Sequence, residues 1–280
     1  MTARRGAGRR CGIAVAAAVT MTAVTMTAVT MTVAACGAAG GNTVPPDRST
    51  SPDRPSTTGT ACELRVTETG FVDQSGLVDG RQVTAANGSI RFAFVVVNPC
   101  SQVALHTGYE ATAADRTGRP LRTQDGRAAV GRSGQVPDLL PGERIGLSAT
   151  IVNSRGSALT GDAYDPTQVS AVTVELRDTG WRSAASGLPS VAASAGNIRL
   201  GARGPDGYLP VTYTLHTDGP LRDDWMSIIV RDGTGRIVTG EQRRFDKAGP
   251  ASGDTVHTAV WIPAGLTDPH IEIFFVPGTS

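Results

Sequence analysis

The sequence predicts an all-β protein in which two tandem antiparallel β-sandwiches follow an apolar leader and a disordered tether. Three observations carry this expectation. Beyond residue 60 the apolar residues recur at period two in short runs, and no run shows the 3.6-residue period of a helix. Gly, Pro, Asn and Asp separate the runs, as turns between strands require. Finally, Asp115-Arg-Thr-Gly-Arg-Pro-Leu returns as Asp232-Gly-Thr-Gly-Arg-Ile-Val, each time between a long strand and a short one, the mark of an internal repeat.

Residues 1–35 read as a signal peptide. They contain no Asp or Glu, carry Arg4, Arg5, Arg9 and Arg10 at the front, and continue as an apolar run that repeats Met-Thr-Ala-Val-Thr from Met21. The run ends in Val33-Ala34-Ala35-Cys36, which resembles the bacterial lipobox, an apolar residue and two small ones before an invariant cysteine. That resemblance implies a lipoprotein: cleavage before Cys36, a diacylglyceryl group on its sulfur, and residence on the outer face of the cytoplasmic membrane, held there by the lipid. A thiol is the right nucleophile for this acceptor role. Two other readings stay open at this stage. Residues 12–35 are long enough to cross a hydrocarbon core of roughly 30 Å as an uncleaved helix, and ordinary secretion would leave Cys36 incidental.

Residues 36–60 are rich in Gly, Pro, Ser, Thr and Asp and hold almost no large apolar group, so they cannot bury enough surface to repay ordering. They are expected to be a flexible tether. With the leader set aside, 245 of the 280 residues remain, enough for two domains, and loss of its four arginines takes the formal charge from +1 to −3. This balance excludes the basic face of a nucleic-acid-binding protein. Of four cysteines, Cys11 leaves with the leader and Cys36 is the lipid acceptor. Cys62 and Cys100 remain, and in an oxidising compartment they are expected to form a disulfide. Such a bridge would stabilise the fold by roughly 3 to 4 kcal/mol.

The first sandwich is expected over residues 61–180. Its strands are a run from Cys62 to Glu68, then Ile90, Phe92, Phe94 and Val96 sharing one face up to Pro99, then 104–114, a short strand at 119–123, Ile145 to Ile151, and Val169 to Arg177. Residues 181–196 read as a linker, and 197–280 as the second sandwich, with strands at 198–201, 209–216, 225–230, 255–262 and 271–276. Three features of the first unit, Val97-Asn98, Asp115 to Gly118, and Leu140-Pro141-Gly142-Glu143, resemble the FxLYD and related immunoglobulin-like domains of bacterial envelope lipoproteins, across about residues 88–152. In the second unit, Ser252-Gly253-Asp254 stands where Pro-Gly-Glu would be. The resemblance implies an immunoglobulin-like sandwich, with the repeated Asp-x-Thr-Gly turn pointing to its duplication, and names no ligand.

Motifs that carry chemistry are absent from the sequence: it has no Gly-x-Ser-x-Gly, Ser-x-x-Lys, His-Glu-x-x-His or phosphate loop. Ser133 lacks an activating context. His106, His216, His257 and His270 are dispersed, Asp162 and Asp165 are too few to hold calcium and suit a turn, and Asp223-Asp224 reads as solvated loop. Trp181, Trp225 and Trp261 are expected to pack in cores or between domains. We therefore assign no catalytic, cofactor-binding or metal-binding residue. The leading expectation is a non-enzymatic binding module, anchored to the membrane through Cys36, that presents loops 123–135 and 153–168 to a protein or envelope component. A structural or assembly factor is the alternative, and an enzyme with an unrecognised site the third class.

Overall fold

Among the described residues the backbone pairs mainly in antiparallel ladders, as the alternating sequence demands. A computed structural model describes residues 62–74, 76–78, 81–84, 88–126, 128–153, 163–186, 192–219, 221, 225–245 and 249–276. The leader, Cys36, the tether, Asp162 and Asp223-Asp224 lie outside the described residues.

The first half contains β1 (Arg65–Gln74), the short pair β2 (Gly76–Val78) and β3 (Arg81–Val83), β4 (Ser89–Val97), β5 (Gln102–Leu105), β6 (Gly108–Ala114), β7 (Gly131–Gln135), β8 (Arg144–Ile151), β9 (Ala171–Arg177) and β10 (Gly180–Ser183). The second contains β11 (Ala193–Leu200), β12 (Tyr208–Thr217), β13 (Trp225–Arg231), β14 (Ile237–Arg244), β15 (Thr255–Trp261) and β16 (His270–Val276). Sheets β1-β4-β8 and β7-β6-β9 enclose one core, with Phe92, Phe94, Tyr109, Leu139 and Leu147 at its centre. Sheets β11-β12-β15 and β14-β13-β16 enclose another around Val211, Tyr213, Leu215, Ile228 and Val230. The protein is all-β, built as paired antiparallel sheets.

The two halves repeat one plan. Asp115 Oδ1 accepts from Thr117 N, Thr117 Oγ1 and Arg119 N, while Gly118 takes φ 78. Asp232 Oδ1 accepts from Thr234 N, Thr234 Oγ1 and Arg236 N, with Gly235 at φ 85. Only glycine reaches such angles without strain, which is why both turns carry one. The Pro-Gly-Glu turn also has its counterpart: Glu143 Oε2 accepts from Leu140 N at 2.7 Å, and Asp254 Oδ2 accepts from Ala251 N at 2.8 Å. Gly142 N donates to Asn98 O in the first half and Gly253 N to Leu215 O in the second.

What joins the halves is a third packing layer. Strand β4 is buried on both faces: Phe92 and Phe94 enter the first core, whereas Ala93 and Val95 meet Ile229 and Ile237 from β13 and β14. Few atoms separate these two sheets. A Cβ on Gly70 would lie 2.0 Å from Ile237 O, one on Gly146 2.4 Å from the Phe274 ring, and one on Gly240 2.7 Å from Ser148 Cβ. Ser148 and Ser227 pair their hydroxyls across the contact at 3.3 Å. At its rim Arg231 pairs with Glu68 and, at 2.8 Å, with Glu272, while Arg144 reaches both carboxylates at 3.3 and 3.1 Å. The Arg231 hydrogen bond holds the Glu68 carboxyl below its usual range. Burial works to raise that of Glu272, but Arg144 and Arg231 outweigh it and lower it as well.

Cys62 and Cys100 are bonded, with their Cα atoms 5.8 Å apart, so the bridge ties the entry to β1 to the exit from β4. Elsewhere the strands depart from expectation. The run 104–114 is broken at His106, which adopts φ 51 and lets the chain pass from β5, paired with β10, to β6 in another sheet. Residues 119–123 contribute only isolated bridges, from Pro120 to Ala114 and from Arg122 to Ala129. Strand β7 lies within the loop expected at 123–135, and β10 and the start of β11 occupy parts of the connection expected at 181–196.

Because the Gly240 side of the contact has no room, Gly240→Val should destabilise the protein by about 1–3 kcal/mol through overpacking. Thr212→Val, on an outward face, should shift stability by no more than about 0.5 kcal/mol. Urea unfolding of both variants tests this, and equal shifts would contradict the tight contact.

Candidate binding site at the loop end of the first sandwich

The two expected binding loops meet. Gln124 N donates to Ala163 O at 2.8 Å, joining the turn at Thr123–Gly126 to the segment that carries Tyr164 and Asp165. Tyr164 is 2% exposed and fixes this end of the sandwich. Its hydroxyl donates to Ile151 O at 2.7 Å and accepts from Ile90 N at 3.1 Å, closing off the ends of β8 and β4. Asn153 completes the anchor by donating from Nδ2 to Gly88 O and Tyr164 O, both at 3.1 Å. The Asn153 and Tyr164 side chains thus take over backbone pairing where the ladders stop.

Asp165 caps a single 3-10 turn, Pro166–Gln168, by accepting from Thr167 N at 3.1 Å and Thr167 Oγ1 at 2.6 Å. This is the turn chemistry the Asp-Pro dipeptide implied. Asp73 was not anticipated. It pairs with Ile90 in the β1–β4 register and so shares the inward face of the sheet, where its Oδ1 is buried without a hydrogen-bond partner. Burial, followed by repulsion from Asp165, raises its pKa from the ordinary 3.8 to about 6. Gly88 makes room for it, since a Cβ there would lie 2.2 Å from Asp73 Oδ1. The usable signal in the sequence was the continued alternation Thr69, Phe71, Asp73 beyond the point where the first strand was expected to stop.

The remaining candidates are dispersed. Ser133 lies exposed on β7 opposite Glu110. His106 is exposed at the β5–β6 corner near Asp138, His216 and His257 are on β12 and β15, and His270 opens β16. Trp181 packs against the first core, Trp261 is buried beneath Arg91, and Trp225 is 37% exposed with Arg244 over its ring. Among the described residues no three His, Cys, Asp or Glu side chains are grouped to hold a metal ion. A shallow groove of about 640 Å³ runs between β1 and the Asp232–Val238 hairpin, and a smaller one of about 330 Å³ lies beside Cys62 and Trp181. No protein-family model and no curated protein matches the chain.

The raised pKa of Asp73 gives its pH dependence a definite sign. The folded protein binds the Asp73 proton more tightly than the unfolded chain, so this group's contribution to stability falls as pH rises from about 4 to about 6 and stays low above that. Asp73→Asn should therefore match the parent near pH 4 and exceed it at pH 7.5 in urea midpoint. A difference that is constant across this range would show that the carboxylate is not responsible.

Proposed function

We propose that the chain is an extracytoplasmic lipoprotein of the bacterial envelope, anchored through a lipid on Cys36, that presents its paired β-sandwiches as a non-enzymatic binding module. The observation that carries the reading is the junction Val33-Ala34-Ala35-Cys36 behind an arginine-headed apolar run. Two further facts support it. A disulfide between Cys62 and Cys100 suits an oxidising compartment and leaves Cys36 outside that pairing. Between Cys36 and Cys62, where the described residues begin, the sequence has the composition of a spacer.

We further read the halves as immunoglobulin-like units related by duplication, akin to the FxLYD-like domains of envelope lipoproteins. The shared turn at Asp115 and Asp232 and the matching strand orders are the support. The joined ends of loops 123–126 and 163–168 form the binding surface in this reading, and a protein or envelope component is the partner. A second reading, a spacer or assembly factor, is favoured by one observation, the tight small-residue contact that makes the two halves one body.

Cys36→Ala should move the protein from the membrane fraction to the soluble one. Mass spectrometry of the parent should find a lipid-modified Cys36 as residue one. Unchanged membrane retention in the variant, or a mature N-terminus elsewhere, would overturn the anchoring proposal. Grafting an unrelated turn over 165–168, which leaves the Tyr164 anchor in place, should abolish partner capture if the loops bind, whereas altered tether length should matter more for a spacer.

A further inference from the structure

The bridge between Cys62 and Cys100 presents its two ends unequally. Cys62 is exposed, whereas Cys100 is 5% exposed. Cys62 also borders the groove of about 330 Å³ walled by Leu64, Leu176 and Trp181, and Cys100 does not. A thiolate must reach the sulfur it attacks, so access selects Cys62. The rim of this groove is negative. Glu63 and Asp178 line it and are exposed, with no ion pair among the described residues, while Arg177 is held by Glu110 at 2.6 Å and Glu175 at 3.2 Å.

The two ends are also held differently. Cys100 N donates to Asn98 Oδ1 at 3.0 Å, and Asn98 Nδ2 donates to Gln102 O at 2.8 Å and to Leu139 O at 2.9 Å. Asn98 is wholly buried, so the loop around Cys100 keeps its shape without help from the bridge. On the other side β1 begins only at Arg65, and the described residues supply no hydrogen bond to Cys62 or Glu63. Leu64 belongs to the first core. Opening the bridge therefore frees Cys62 and Glu63 and leaves the core packed.

We propose that the bridge is a site of thiol–disulfide exchange in the folded protein, opened at Cys62 by a dithiol whose attacking sulfur is flanked by cationic groups. The first thiolate attacks Cys62 Sγ. A new S–S bond forms there as the Cys62–Cys100 bond breaks, and its electron pair leaves on Cys100 Sγ, which takes up a proton. The second thiolate then attacks the dithiol's own sulfur in the mixed disulfide, Cys62 leaves and is protonated, and the reductant departs as a disulfide. Two electrons and two protons have passed to the protein. Cys100 is left as a buried, inert thiol, and the exposed Cys62 is the reactive member of the pair. The site is independent of how the protein is anchored.

The full-length protein is treated with cysteamine or mercaptoacetate, monothiols of opposite charge, at about pH 8 where thiolates form. Early acid quenching, alkylation in urea and peptide mass spectrometry locate the adduct. It should sit on Cys62 with the free thiol on Cys100, at least about tenfold over the reverse. Glu63→Gln combined with Asp178→Asn should lower the ratio of the two rates, cysteamine over mercaptoacetate, at least about threefold at low salt. After dithiothreitol has opened the bridge, the protein should keep one cooperative urea transition at a lower midpoint. Adducts on Cys100, opening only at the rate of global unfolding, or a reduced protein without a urea transition would each overturn the proposal. A rate ratio untouched by the double substitution overturns the selection for a cationic reductant.

Discussion

The fold rests on the closeness with which two sheets meet. Ala93, Gly146 and Ser148 on one side, with Ser227, Ile229 and Gly240 on the other, let the inner sheets approach until a single added methyl would strike backbone or side chain. At that distance dispersion contacts are dense and water is excluded, so the seam behaves as a core rather than as a hinge. The arginine and glutamate pairs at the rim have a different part. They sit where Glu68 and Glu272 are half-exposed and fix the register of one sheet on the other more than they add to stability.

Matching positions in the two halves show why the contact forms once. Where β4 presents Val95, the equivalent place on β12 holds Thr212, and where β8 has Gly146, β15 has His257. On the other sheet pair, Phe274 of β16 corresponds to Glu175 of β9, and Ile229 of β13 to Thr112 of β6. The halves stack through unlike faces, so each retains one face of the kind that could accept another copy. Polar and bulky residues at these outward positions close both ends, as terminal units of a repeat array require.

Legibility in the sequence followed the number of buried faces. Strands with one solvated face alternate cleanly, and the expected 209–216 differs from β12, Tyr208–Thr217, by one residue at each end. The Asp-x-Thr-Gly turns were legible because side-chain capping and positive φ demand those residue types. The seam was not. Phe92 to Val97 forms a continuous apolar run, the mark of a strand buried on both faces, yet period two in its larger residues conceals the second face. Strand β7, Gly131–Gln135, could not be read at all because it contains no apolar residue larger than glycine. At the candidate site, Asp165 was legible as a turn former and Asp73 was not. Its burial depends on partners about ninety residues away in sequence, around Tyr164, and on which face of β1 it occupies.

The disulfide has a mechanical meaning. A pull applied at the N-terminal side of Cys62 does not peel β1 away from its neighbour one ladder rung at a time. It passes through the bridge to Cys100 and arrives at the end of β4, the central strand of its sheet, where rungs on both sides must shear together. Many bonds loaded at once resist far better than the same bonds loaded in turn. A sheet tethered in this way keeps its edge strand out of the path of force.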